Sequence, residues 1–169
     1  FIGVGTPQRK GEFSADTTQV EDVVARLSPL LTRDAVLVGK STVPVGTAVR
    51  LQGIADWHVP GGVRAHVVWN PEFLREGFAV EDTLTPDRIV IGLPGGADEQ
   101  SAARELVDEA YAPILDSDPC PVIVTDLATS ELVKVSANAF LATKISFINA
   151  VSEVCEAAGA DVTVLADAI

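Results

Sequence analysis

A hydroxyl at Thr42, carboxylates at Glu72 and Glu76, an ammonium at Lys134 and an amide at Asn138 are the side chains here best suited to chemistry on an oxygen-bearing carbon. A threonine hydroxyl donates and accepts, so Thr42 can orient a water; it can equally close a turn. Glu72 and Glu76 are spaced i, i+4. On a helical turn both face one side, where mutual repulsion favours one of them as a general base. Two solvated carboxylates are the simpler outcome of the same spacing. Lys134 and Asn138 also stand at i, i+4 and share a helix face, where a cation and an amide can stabilise a developing oxyanion. Alternatively, Lys134 is a surface charge paired with Glu131 or Ser130. The neighbours Val135, Ala137, Ala139, Phe140 and Leu141 are apolar, which favours burial.

These residues sit in polar clusters that each follow a short apolar run. Phe1 to Gly5 reads as a strand and leads into Gly5-Thr6-Pro7. Ala35 to Gly39 is a strand buried on both faces and leads into Lys40-Ser41-Thr42-Val43-Pro44-Val45-Gly46-Thr47. His66 to Trp69 leads into Asn70-Pro71-Glu72-Phe73-Leu74-Arg75-Glu76-Gly77. Arg88 to Gly92 and Val122 to Val124 are the remaining strands, the last leading into Thr129-Ser130-Glu131. Helical periodicity falls between them. Asp16 caps a helix with an apolar face of Val20, Val23, Val24, Leu27, Leu30 and Leu31. Residues 46–55 and 98–112 form two more helices. Thr129 to Ala158 reads as one long helix closed by Gly159. Strands alternating with helices predict an α/β fold, a doubly wound parallel sheet with ligands bound beyond the strands' carboxyl ends. Four polar clusters on that rim point to one site.

The chain has 169 residues, 12 Lys plus Arg against 24 Asp plus Glu, and a formal charge of −12. This balance argues against nucleic acid and against an anionic membrane surface as partners. No apolar run approaches the roughly 18 residues of a membrane-spanning helix. Cys120 and Cys155 are too few for a disulfide scaffold and read as small packing residues. His58 and His66 lack metal-ligand spacing, so no metal site is expected. Trp57 and Trp69 read as packing residues. Sparse cysteine fits a reducing cytoplasm.

KSTVPVGT, NPEFLREGFAVEDTLTPDRIVIG and SELVKVSANAFLATKISFINAVSEVCEAAGADV together resemble the UDP-glucose/GDP-mannose dehydrogenase family, in order and spacing. Within it they are most like the UDP-glucose 6-dehydrogenases. The resemblance implies the second half of a Rossmann-like NAD domain over 1–127, then a long central helix and the start of a dimerisation domain over 128–169. It implies oxidation of the C6 hydroxyl of a nucleotide sugar to a carboxylate with two NAD, through a thioester on a family cysteine, and a homodimer formed through the long helix. It implies Thr42, Glu72, Lys134 and Asn138 as catalytic, with Glu72 the base for thioester hydrolysis and Thr42 holding the water. Thr6, Pro7, Ser41 and Glu76 would meet NAD. Phe73, Leu74, Arg75, Glu76, Lys134 and Asn138 would meet the sugar nucleotide.

The family's glycine-rich NAD loop and its G-G-x-C nucleophile segment are not among these residues. A partial chain, inactive alone and with an aggregation-prone strand edge, is therefore expected. GDP-mannose or UDP-N-acetyl-sugar oxidation, or a non-catalytic assembly module, are the alternatives.

Overall fold

The computed structural model describes residues 1–95 and 97–169, with side chains for all of these except residues 97–99 and 101. Of the turn expected at Pro94-Gly95-Gly96, Gly96 lies outside the described residues. The chain forms two compact units, Phe1–Lys134 and Val135–Ile169.

The first unit is an α/β sheet domain. Its strands are β1 (Ala35–Gly39), β2 (Ala65–Trp69), β3 (Ile89–Leu93) and β4 (Val122–Asp126), in the order β1-β2-β3-β4. The first three are apolar runs that become buried, as strands covered on both faces must be. Helices α1 (Thr18–Leu27) and α2 (Thr47–His58) cover one face. There Val20, Val24, Leu51 and Ala55 pack with Leu37, Val67 and Trp69. Helix α4 (Ala97–Ser117) covers the other through Ala103, Val107, Tyr111 and Leu115, a strict i, i+4 stripe.

Most of the expected elements form, with four differences. Among the described residues Phe1 to Gly5 makes a single parallel bridge, Ile2 to Gly39, in which Ile2 N donates to Val38 O and Lys40 N donates to Ile2 O. Leu30 is exposed, because the chain leaves α1 through a 3₁₀ turn at Ser28–Leu30. Trp57 is 85% exposed, so it does not pack, whereas Trp69 is fully enclosed.

The fourth difference concerns direction. β1 and β2 are parallel, and so are β3 and β4, but the two pairs meet antiparallel at the single register pair Trp69–Gly92. A parallel crossover needs a helix packed back over the sheet. The short helix α3 (Ala79–Leu84) buries none of its residues, so the chain re-enters the sheet from the end at which it left. The sheet is therefore mainly parallel. The cluster after β4 does not follow a carboxyl end directed like those of β1 and β2, and its residues reach the site along a helix instead.

That helix is α5, Leu127–Ala158, which runs from the first unit into the second. Gly159 closes it at φ +71°, and Ala160 N donates to Cys155 O in the expected left-handed cap. In the second unit α6 (Val162–Ala168) follows, capped by Asp161, which accepts from Thr163 N at 2.8 Å.

Candidate active site

The site is built where β1 and β2 end. Ser41 Oγ donates to Val4 O and Thr6 Oγ1 donates to Thr42 O, both at 2.6 Å, which ties residues 4–6 to the turn after β1. Gly3, Gly5, Thr6, Lys40, Ser41, Thr42, Glu72 and Leu74 line one cleft there, of about 430 Å³. That volume is in the range of small-molecule pockets, roughly 300–1,000 Å³. A second cavity adjoins it, lined by Lys40, Asn70, Glu72, Phe73, Arg75, Arg88 and Tyr111.

Glu72 is not on a helical turn. Residues 71–75 are irregular, so the i, i+4 argument that set Glu72 beside Glu76 does not apply. Glu72 Oε2 accepts from Leu74 N at 2.7 Å, and Oε1 stands 3.1 Å from Lys134 Nζ. Lys134 is 8% exposed and pairs with Glu72, not with Glu131 or Ser130. Its ammonium also lies 5.3 Å from the Phe73 ring centroid, with the Arg88 guanidinium 4.2 Å from the same centroid.

Lys134 arrives there because of the buried stripe Leu127, Ser130, Glu131 and Lys134 on the first turns of α5. Gly92 permits the approach: a Cβ there would overlap the Ser130 side chain and come 2.9 Å from Asp126 O. Glu131 is 1% exposed, and its carboxylate accepts from Gly46 N and Ala48 N, both at 2.7 Å, capping α2. Burial pushes its carboxyl up, against the pull of these backbone donors. Gly46 takes φ +91°, a conformation glycine adopts without strain.

Sequence reasoning missed this cap and a polar triangle beneath the cleft. Lys40 Nζ donates to Asn70 Oδ1 at 2.9 Å and to the Tyr111 hydroxyl at 3.3 Å. The Tyr111 hydroxyl donates to Asn70 Oδ1, and Asn70 Nδ2 donates to Val90 O at 2.8 Å. Burial lowers the Lys40 pKa, with Glu72 acting in the opposite sense, and pushes the Tyr111 phenol up to about 12. A signal for Tyr111 was present: the chain's only tyrosine falls on the apolar stripe of α4.

The other candidates are placed as follows. Phe73 and Leu74 line the cavities. Arg75 lines one as well, but its guanidinium is held by Asp82 at 2.6 Å, which keeps the Asp82 carboxyl below its usual range. Pro7 and Glu76 lie outside both linings, Pro7 O accepting instead from Asp16 N. Asn138 belongs to the second unit and is exposed, as are Val135, Phe140 and Leu141, contrary to the burial expected of that run. Cys120 packs partly buried against the α4 face, and Cys155 is buried.

Thr6, Ser41 and Thr42 around an open cleft that Lys40 and Glu72 also line, at the end of a mainly parallel sheet, fit a Rossmann-type α/β dehydrogenase domain. Residues 1–115 match the UDP-glucose/GDP-mannose dehydrogenase family, NAD binding domain, and residues 128–169 match the same family's central domain. The chain therefore belongs to the UDP-glucose/GDP-mannose dehydrogenase family. It is similar to the UDP-glucose 6-dehydrogenase YwqF of Bacillus subtilis (strain 168), 45% identical over 98% of this chain and 36% of that protein. A UDP-glucose 6-dehydrogenase of Rhizobium meliloti (strain 1021) is also 45% identical, over 96% of this chain and 36% of that protein. Among solved structures, a UDP-glucose dehydrogenase from the hyperthermophilic archaeon Pyrobaculum islandicum superposes with a TM-score of 0.81 at 37% identity, over 94% of this chain and 35% of that one. A GDP-mannose dehydrogenase of Pseudomonas aeruginosa, solved as a ternary complex, gives 0.84 at 27% identity, over 98% and 37%. The chain thus spans 36% of the length of the two curated relatives.

Proposed function

We propose that this chain is the second half of the NAD domain and the linking helix of a UDP-glucose 6-dehydrogenase, which oxidises the C6 hydroxyl of UDP-glucose to the carboxylate of UDP-glucuronate. One observation carries the reading: Glu72, which lines the cleft together with Thr42, stands 3.1 Å from Lys134 of a different motif.

The residues present fit NAD on one flank of the cleft. Thr6 and Ser41 stiffen the rim by their bonds to backbone carbonyls, and a Cβ added at Gly3 or Gly5 would meet nothing within 4 Å. Bound there, NAD supplies the hydride acceptor. Pro7 and Glu76 are assigned to the cofactor on their motifs alone.

Glu72 takes a proton from a water that the Thr42 hydroxyl orients towards C6 at the acyl stage. Lys134 balances the Glu72 charge before that transfer and is then free to meet negative charge on the C6 oxygen. Asn138 is given the second part of that role on K-x-x-x-N alone. Phe73, Leu74 and Arg75 hold the sugar, with Phe73 fixed by Arg88.

The parent acts in the cytoplasm as a homodimer through α5, whose exposed Phe140, Leu141, Ile145 and Phe147 are suited to burial against a second copy. The 169 residues alone turn over no substrate. A panel of UDP-glucose, GDP-mannose and UDP-N-acetyl sugars, each with NAD and NADP and the full-length protein, tests the assignment. NAD reduction fastest with UDP-glucose is expected. Preference for GDP-mannose would move the protein to the family's other branch, the reading favoured by the TM-score of 0.84.

A further inference from the structure

Lys40 takes no part in the reaction outlined above, yet it borders both cavities together with Glu72 and Leu74. Its ammonium has three N–H donors. One meets Asn70 Oδ1 and a second meets the Tyr111 hydroxyl oxygen. The Tyr111 hydrogen and one N–H of the Asn70 amide are themselves committed, to Asn70 Oδ1 and Val90 O. The third ammonium N–H and the second amide N–H of Asn70 have no protein acceptor among the described residues, and of the two only the ammonium carries charge.

Nor does a carboxylate lie within ion-pair distance of Lys40 among the described residues. Two neutral partners fix a half-buried cation in place without cancelling its charge. Glu72 is already matched by Lys134 at 3.1 Å, so it does not serve Lys40 alone as a counter-charge.

We infer that Lys40 is a ligand-binding cation of the cleft, whose third N–H takes a carboxylate oxygen in preference to a hydroxyl. The inference rests on the nucleotide-sugar reading, in which the substrate offers a C6 hydroxyl and the product a C6 carboxylate. Lys40 accordingly selects for the product end of the reaction. Asn70 and Tyr111 are its positioning residues.

The test compares UDP-glucose and UDP-glucuronate binding by calorimetric titration of the full-length protein and its Lys40→Met and Lys40→Gln variants. UDP-glucuronate should bind about tenfold more weakly to either variant and UDP-glucose within about twofold, since hydrogen bonds to charged groups are the stronger ones. Equal weakening of both ligands, or of neither, overturns the inference. Lys40→Gln keeps a donor towards Asn70 and carries the test if Lys40→Met does not fold. A second arm uses acetate as the probe, with lysines labelled at the ε-carbon. The resonance that disappears in Lys40→Gln should shift saturably with acetate and stay fixed with chloride at equal ionic strength. A resonance unmoved by acetate also overturns the inference. A wild type that binds neither sugar nucleotide, but whose Lys40 still answers acetate, removes the nucleotide-sugar reading and leaves the cation site standing.

Discussion

Glu72 meets Lys134 at 3.1 Å, a carboxylate from an irregular loop after β2 against an ammonium from the first turns of a long helix. Lys134 is buried and Glu72 is partly so, which makes the pair harder for solvent to screen than a surface pair.

In the full-length enzyme, Glu72→Gln should lower kcat by about 10²–10⁴, the usual contribution of a positioned general base, and leave nucleotide-sugar affinity nearly unchanged. Lys134→Met should also lower kcat, and the double variant should lose less than the two single losses combined. Steady-state kinetics on the four proteins decides it. Fully additive losses would show that the contact has no part in turnover.

Glu131 is a structural carboxylate. Glu131→Ala leaves the N–H groups of Gly46 and Ala48 without their acceptor, at a cost of about 2–4 kcal/mol. Urea unfolding should show a lower midpoint. Because α2 follows the Thr42 turn directly, the variant should also lose activity at temperatures where it remains folded.

Gly39→Ala sets a methyl group against the indole of Trp69, which is itself fully enclosed. Overpacking of this kind costs about 1–3 kcal/mol. A thermal melt measures the loss, and Trp69 fluorescence should report the displaced ring. An unchanged melting temperature would contradict the packing described.

Tyr111 gives a pH signature. Burial raises its folded-state pKa from 10.0 to about 12, so the folded state holds the proton more tightly than the unfolded state. Its contribution to stability is complete below pH 10 and is lost as pH rises from there through about 12. Lys40, with its folded pKa lowered below 10.5, acts oppositely, adding stability as pH climbs through its folded value towards 10.5. Denaturant melts between pH 9 and 12 should therefore show a decline above pH 10 that Tyr111→Phe abolishes.

Ile145→Asp and Ile148→Asp place a charge on α5 within the second unit, where Ile145 is exposed and Ile148 half-buried. In the full-length protein they should convert a dimer to monomer, as read by size-exclusion chromatography. An unchanged oligomer would reject α5 as the dimer contact.

The sequence by itself determined most of the elements and brought forward the candidate reactive groups. Local rules suffice for both: apolar runs make β1, β2 and β3, four-residue apolar spacing makes α1 and α4, and a glycine after an unbroken helix closes α5. The motifs carry Thr42, Glu72 and Lys134 whatever their geometry. Tertiary structure decided which groups meet. Nothing local indicates that β3 runs against β2, because that depends on α3 failing to pack over the sheet. Nor does spacing show that Glu72 answers to Lys134 and not to Glu76, that Glu131 turns inward to cap α2, or that Lys40 is held by Asn70 and Tyr111. Each joins residues distant in sequence, and such contacts are chosen by what the packed sheet and helices bring within reach.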